Sequence, residues 1–295
     1  MASPGAPVAG IRLSLRWGTV LDASGPGGYT FAAPARCFLG FAVETVVLFV
    51  SDIHFGRDST EVERAKEAAL IECLEAHADH VDHLYLLGDV FDGYIEYRHL
   101  IPKGFARFQG LLAAWSDRDI PITYLLGNHD PWHRGYFAEE FGVRLVPDPL
   151  EVQHGPHRLY LAHGDAQAST HRGYGWMRPL LRHPWAIRLY RTLLPADLGV
   201  ALAQKVSRVL HDPEPDPTVV EALEGDARRR LQSAALDAVI MGHSHQSSLR
   251  EWDPGVYVNT GNWYENRTFA RLEDGALHLC RWNGGRTLDI ESAAL

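Results

Sequence analysis

From residue 46 onward the chain alternates short apolar runs with longer amphipathic stretches, and several of the apolar runs end in a cluster of Asp, Asn or His. Val46-Val47-Leu48-Phe49-Val50 is apolar at every position, the pattern of a strand covered on both faces, and it hands over to Ser51-Asp52-Ile53-His54. Helical periodicity follows over 59–76, and a strand is predicted over 83–87, running into Gly88-Asp89-Val90-Phe91-Asp92. A helix over 103–115 and a strand over 120–126 come next, the latter stopping at Gly127-Asn128-His129-Asp130. A short helix at 136–141 precedes two strands within 150–162, paired around the turn His154-Gly155-Pro156-His157, and these deliver His163-Gly164-Asp165. The stretch of about 168–232 is helical by pattern and lacks strand signals, so it is expected to form a cap inserted into the body. A strand over 237–241 then leads to Gly242-His243-Ser244-His245, and strand-like segments at 256–259, 268–272, 276–282 and 287–290 are expected to complete a second sheet.

This alternation of helix and strand predicts an α/β fold. Residues 1–44 are rich in Gly, Ala and Pro and hold neither period, which reads as a poorly ordered N-terminal extension or a start site assigned too early; residues 45–295 form the expected catalytic domain. The chain is long enough for one large domain with a substantial core. Its net charge of -9 argues against a nucleic-acid binder. A phosphorylated substrate is compatible with that charge, because bound divalent cations supply positive charge locally. Cys37, Cys73 and Cys280 are far apart and form no C-x-x-C pair, so neither a disulfide framework nor a zinc knuckle is indicated. No uncharged apolar run has the length of a membrane-spanning helix.

Ligands of α/β sheets gather at the carboxyl ends of strands, where each of these polar clusters is placed. Singly, each has an ordinary reading: Asp52-x-His54 as a cap or turn, Gly88-Asp89 as a turn, Asn128 as a helix cap, His163 as a buried imidazole. Their recurrence in one strand-then-loop context points instead to a joint site. Carboxylate, amide and imidazole without thiolate suit Mn²⁺, Fe²⁺ or Zn²⁺. Two such ions lower the pKa of water and neutralise phosphate oxygens, which makes phosphoester hydrolysis the expected reaction. His129 follows a candidate ligand by one residue, so it can face a leaving oxygen as a general acid.

The five blocks Asp52-Ile53-His54, Gly88 to Asp92, Gly127 to Asp130, His163 and Gly242 to His245 closely resemble the signature of the calcineurin-like metallophosphoesterase superfamily, over roughly residues 46–282. The resemblance implies a four-layer αββα sandwich of two mixed sheets flanked by helices, with the helical cap as an insertion. It places one metal on Asp52, His54, Asp89 and His245 and the second on Asp89, Asn128, His163 and His243, with Asp89 bridging. It makes Asp92 the partner of the catalytic His129, and Mn²⁺ the first expectation for both metals, with Fe²⁺ or Zn²⁺ as alternatives.

Within the superfamily, the sequence after His163-Gly164-Asp165 looks like that of UDP-2,3-diacylglucosamine hydrolases of lipid A biosynthesis. That resemblance implies cleavage of a lipid-linked nucleotide sugar to UMP and 2,3-diacylglucosamine 1-phosphate, on the cytoplasmic face of the inner membrane, with no nucleic acid and no obligatory protein partner. It assigns Tyr174, Arg178 and Ser207 to substrate contact. Between 172 and 191, Trp, Leu and Tyr interleave with five arginines; such a stretch suits a membrane surface and equally suits a cap packed on the body with its arginines solvated. Well-known members of the hydrolase family have Arg at the position of His129, whereas the wider superfamily has His. A soluble phosphodiesterase or nucleotide pyrophosphatase therefore stands as the alternative, and a non-catalytic scaffold of the same fold as a third.

Overall fold

The computed structural model describes residues 30–32, 46–168, 179, 182–210 and 216–295. Alternation along its central strands sorts the core into layers. In β2 (Val46–Val50), Val46, Leu48 and Val50 face helices α1 (Thr60–Glu75) and α2 (Ala106–Asp117), meeting Leu70, Leu74, Phe108, Leu112 and Trp115. Val47 and Phe49 point the other way, onto Leu159, Leu161, Ile240 and Val258 of a second sheet. Both faces are covered, which is why this strand reads as a continuous apolar run.

Among the described residues the first sheet has seven strands, in the order β13, β12, β11, β2, β3, β4, β5, with β3 at Val81–Leu87, β4 at Ile122–Leu125, β5 at Arg144–Val146, β11 at Thr268–Glu273, β12 at Ala276–Trp282 and β13 at Thr287–Ala294. β2 to β5 run parallel, and β11 joins β2 antiparallel. The second sheet has six strands, in the order β1 (Thr30–Ala32), β6 (Leu150–His154), β7 (His157–Ala162), β8 (Ala238–Met241), β10 (Gly255–Asn259) and β9 (Ser248–Trp252). β7, β8 and β10 are parallel neighbours in it. Helix α6 (Pro217–Ser233) covers its outer face through Leu223, Ala227 and Leu231, which meet Tyr160, Val239, Met241 and Tyr257. The result is the αββα sandwich of two mixed sheets.

Three arrangements differ from the sequence expectation. Of the four late strands, only β10 completes the second sheet; β11, β12 and β13 extend the first, where Ala270, Leu272, Leu277 and Leu279 fill the space between the sheets and Phe269, Cys280 and Trp282 face the helices. Within the stretch 168–232 expected as a cap, the last helix, α6, buries an apolar stripe on the second sheet. The other described helices of that stretch are α4 (Pro184–Leu193) and α5 (Ala196–Leu210), after a short α3 at Tyr136–Phe141 in the body. Within the stretch expected to be loosely ordered, β1 pairs in parallel with β6. No described helix is long and apolar enough to cross a membrane.

Candidate metal centre

Five strands deliver the chemistry from the same end of the sandwich. β2, β3 and β4 lie side by side and parallel in one sheet, and β7 and β8 do so in the other, so residues just past their carboxyl ends converge. The loops after β2 and β3 are tied together: Ile53 N and His54 N both donate to Asp89 O, at 2.9 and 3.0 Å. Gly242 N donates to His163 O at 3.0 Å and joins the other two. Asp52, His54, Asp89, His243 and His245 all have φ between 49° and 68°, the left-handed region that non-glycine residues avoid. Five such residues at one site mark strain of about 1 kcal/mol or more apiece, which the surrounding hydrogen bonds hold in place.

The ligating atoms fall into overlapping groups, each within 4.8 Å: Asp52, His54 and His245; His54, Asp89 and His129; Asp89, His163 and His243. Asp89 and His54 each belong to two of them, so the groups are continuous, with Asp89 between His54 and the pair His163 and His243. His163 Nδ1 pairs with Leu87 O at 2.8 Å and so carries the hydrogen, which turns the lone pair of Nε2 toward Asn128 Oδ1 at 2.9 Å and Asp89 Oδ2 at 3.2 Å. Three lone-pair atoms then converge on one gap, an arrangement that calls for a proton or a metal ion between them. Asp52 Oδ1 is buried and makes no hydrogen bond, yet it lies 3.2 Å from His245 Nε2 and 3.8 Å from His54 Nε2. The donor set thus fits two divalent ions.

Electrostatics give the same answer. Burial opposes charge on His54, but the nearby carboxylates of Asp52 and Asp92 outweigh it and raise its pKa to about 9. His163 is raised well above the usual imidazole range, where burial is outweighed by the Asp89 carboxylate. Burial likewise favours neutral Asp52, yet His245 and His54 hold its pKa well below the usual carboxylate range. The pocket of carboxylates attracts positive charge, and protons and metal ions compete for it.

Asp92 organises the histidines. Its Oδ1 lies 3.3 Å from His54 Nδ1 and 3.1 Å from His129 Nδ1, so it takes the Nδ1 hydrogens and leaves both Nε2 atoms facing the centre. His129 Nε2 is 3.9 Å from Asp89 Oδ2. Ser207, expected to touch substrate, turns its hydroxyl onto this pair, because α5 packs directly over the loop after Asp92. Tyr174 and Arg178 lie outside the described residues.

Sequence reasoning assigned no role to several side chains that hold the candidate ligands in place. Asp130, fully buried, accepts from the backbone N–H groups of Asp89, Val90, Phe91 and Gly127 and from the Tyr124 hydroxyl, and so binds the second and third loops together. Lys66 reaches from α1 to His54 O at 3.0 Å, with Glu63 Oε1 at 2.8 Å as its counter-ion. Behind Asp52, Ser51 donates to Oδ2 and is itself 2.7 Å from Thr260 Oγ1. Asn259-Thr260-Gly261-Asn262, a polar group at the end of the apolar β10, carries the same strand-then-loop signal as the ligand motifs. At Gly127 a side chain would collide with the Asp89 carboxylate and backbone, so only glycine lets the third loop approach the bridging residue.

The sequence model of the calcineurin-like phosphoesterases matches residues 45–247, more than half of the chain. A protein of Porphyromonas gingivalis named UDP-2,3-diacylglucosamine hydrolase is 35% identical over 150 residues, which cover 50% of this chain and 57% of that one. One of the same name from Aeromonas salmonicida is 27% identical over 243 residues, covering 79% of this chain and 91% of that one. Among solved structures, Yfce, a phosphoesterase from E. coli, aligns with a TM-score of 0.44 at 17% identity, over 85% of this chain and 99% of that one. On the match to the family and the donor set at its centre, the chain belongs to the calcineurin-like phosphoesterases and is a metal-dependent hydrolase.

Proposed function

We propose that the chain hydrolyses the pyrophosphate of UDP-2,3-diacylglucosamine to UMP and 2,3-diacylglucosamine 1-phosphate, using two divalent ions, Mn²⁺ before Fe²⁺ or Zn²⁺. Asp52, His54, Asp89 and His245 would hold one ion and Asp89, Asn128, His163 and His243 the other. When bound, such a pair neutralises phosphoryl oxygens and lowers the pKa of water. The residues around it do the rest. Asp92 keeps the hydrogen of His129 on Nδ1, and His129 Nε2 is directed at the centre, where as imidazolium it donates a proton to the leaving oxygen.

The relatives named above support this reading, but the observation that carries it is an apolar groove of about 530 Å³ beside the centre, lined by Trp132, Trp185, Leu189, Leu193 and Leu202. Trp132 is three residues past His129, and Leu202 shares α5 with Ser207, so the groove adjoins the catalytic loop. A phosphodiesterase acting on water-soluble esters has no use for such a surface. An acyl chain does, since each buried methylene contributes about 0.8 kcal/mol, and four of them favour an acylated substrate by about 200-fold. Trp185, Leu189, Leu193 and Leu198 are also about half or more exposed on the cap, the composition of a surface that docks peripherally on a membrane.

Turnover of UDP-2,3-diacylglucosamine and of UDP-N-acetylglucosamine by the Mn²⁺-loaded protein tests the reading. A kcat/KM at least about 100-fold higher for the acylated substrate is expected; equal values would sink it. Sedimentation with anionic liposomes tests membrane docking separately, and protein left wholly in the supernatant rejects it.

A further inference from the structure

Ser207 stands on the cap helix α5, 115 residues from Asp92, and is 8% exposed. Its hydroxyl donates to Asp92 Oδ1 and lies 2.6 Å from His129 Nδ1. A serine hydroxyl has one hydrogen. With that hydrogen on Asp92, only lone pairs remain for His129, so Nδ1 must carry a hydrogen, which it shares between Oγ and, at 3.1 Å, Asp92 Oδ1. This orients the ring about its Nδ1 edge, leaving Nε2, the position of the imidazolium's second hydrogen, toward Asp89.

The position of the helix is built to put the hydroxyl there. Gly93, directly after Asp92, has φ 82°, and a Cβ on it would stand 3.1 Å from Gln204 N and 3.2 Å from the Ala203 carbonyl carbon, one turn before Ser207. The backbone of the Asp92 loop is therefore seated on the backbone of α5. Tyr190 on α4 donates to Gly199 O at 2.9 Å and pins the same helix from its other side, while Arg191 Nη2 donates to Trp132 O at 2.6 Å in the loop that bears His129.

We propose that Ser207 is a positioning residue for His129, through which the seating of the cap helix sets the alignment of the general acid. The proposal rests on the reading of His129 as catalytic. It makes the cap more than a lipid groove: a substrate that seats α5 correctly also aligns the proton donor.

The test uses the full chain loaded with Mn²⁺ and two substrates, UDP-2,3-diacylglucosamine and the phenyl ester of thymidine 5'-monophosphate, whose phenolate leaves poorly without a proton. Ser207→Ala is expected to lower kcat by about 10- to 100-fold with KM changed less than about twofold, the usual cost of removing a hydrogen-bond partner behind a functional histidine. Ser207→Thr keeps the hydroxyl and is expected to recover most of that loss. In a His129→Ala background the further change Ser207→Ala should alter nothing, since its route of action is gone. Two bound metals in each variant show that the centre is intact. A raised KM with kcat unchanged would make Ser207 a substrate contact and overturn the proposal, as would an equal loss in the His129→Ala background or a Thr variant as slow as the Ala one. Should His129→Ala itself leave kcat untouched on both substrates, the catalytic reading of His129 falls and this proposal with it. Turnover of the thymidine ester alone would reject the lipid substrate while leaving the Ser207 comparison decisive.

Discussion

Replacing Asp130 by Asn would turn an amide NH₂ against backbone donors directly beneath the metal centre. Asp130 Oδ1 accepts from Gly127 N at 2.9 Å and Asp89 N at 3.3 Å, while Oδ2 accepts from Val90 N at 2.7 Å, Phe91 N at 3.2 Å and the Tyr124 hydroxyl. Whichever way the amide turns, its NH₂ meets two donors or three, and the side chain is fully buried, so water does not step in. A hydrogen bond to a charged acceptor contributes about 1.5–3 kcal/mol, so two lost bonds amount to about 3–6 kcal/mol, and relaxation of the loops leaves about 3. Out of a total stability of about 5–15 kcal/mol, that is a large share. Urea unfolding followed by tryptophan fluorescence reads it: with a slope of about 1–3 kcal/mol per M, the midpoint should fall by about 1 M or more. Because the donors belong to the loops of Asp89 and Asn128, Mn²⁺ titration by calorimetry should also show one of two sites weakened at least about tenfold. A midpoint shift under about 0.3 M with both sites retained would refute the claim that this carboxylate organises the loops.

Gly127→Ala should abolish binding of at least one metal and cut activity more than about 100-fold, since the new methyl group meets the Asp89 carboxylate, with far-UV circular dichroism unchanged; full metal occupancy by elemental analysis would contradict it. Chelation should lower Tm by about 5–10 °C and Mn²⁺ restore it, because a ligand at about 100 times its Kd stabilises the folded state by about 2.7 kcal/mol. An unchanged Tm would mean that the acidic pocket is stable without cations. His133 is stacked on Tyr94 at 4.2 Å with both ring nitrogens buried and without hydrogen bonds, and burial, aided by the Arg191 charge, pushes its pKa from 6.5 down to about 3. The unfolded chain therefore takes up this proton first, so the residue costs nothing above pH 6.5 and progressively destabilises the fold as pH falls from 6.5 toward 3. His133→Phe should flatten the decline in urea midpoint between pH 7 and pH 5; identical declines in both proteins would rule the effect out.

Much of the site was legible along the chain because each candidate ligand sits at a change of pattern. Asp52 and His54 follow five consecutive apolar residues, and His243 and His245 follow Ala238–Met241, buried at all four positions. A buried strand can expose function only at its end, so the position of a polar residue just past an apolar run is informative by itself. Asp130 was visible as a residue but not as an anchor, since nothing in Gly127 to Asp130 says that its carboxylate points back to three N–H groups some forty residues earlier. Lys66 lies on a helix whose local pattern makes it a solvated cation, and only the approach of α1 to the first loop turns it onto His54 O.

The sequence by itself determined the α/β class, the ends of the strands and the identities of the groups gathered there, because side-chain periodicity reports whether each face of an element is covered, while the αββα layering was implied by the resemblance of its motifs. It does not report what covers it. Apolar residues at both faces of β11 and β12 are satisfied in either sheet, and tertiary packing alone assigned these strands to the edge of β2; the same holds for α6, whose stripe of Leu223, Ala227 and Leu231 found the second sheet. Hydrogen bonds between distant residues carry even less local signature. His243 N reaches Asp52 Oδ2 across 191 positions and Ser207 reaches Asp92 across 115, and the direction of each donor was settled only when the strands and the cap helix closed around the centre.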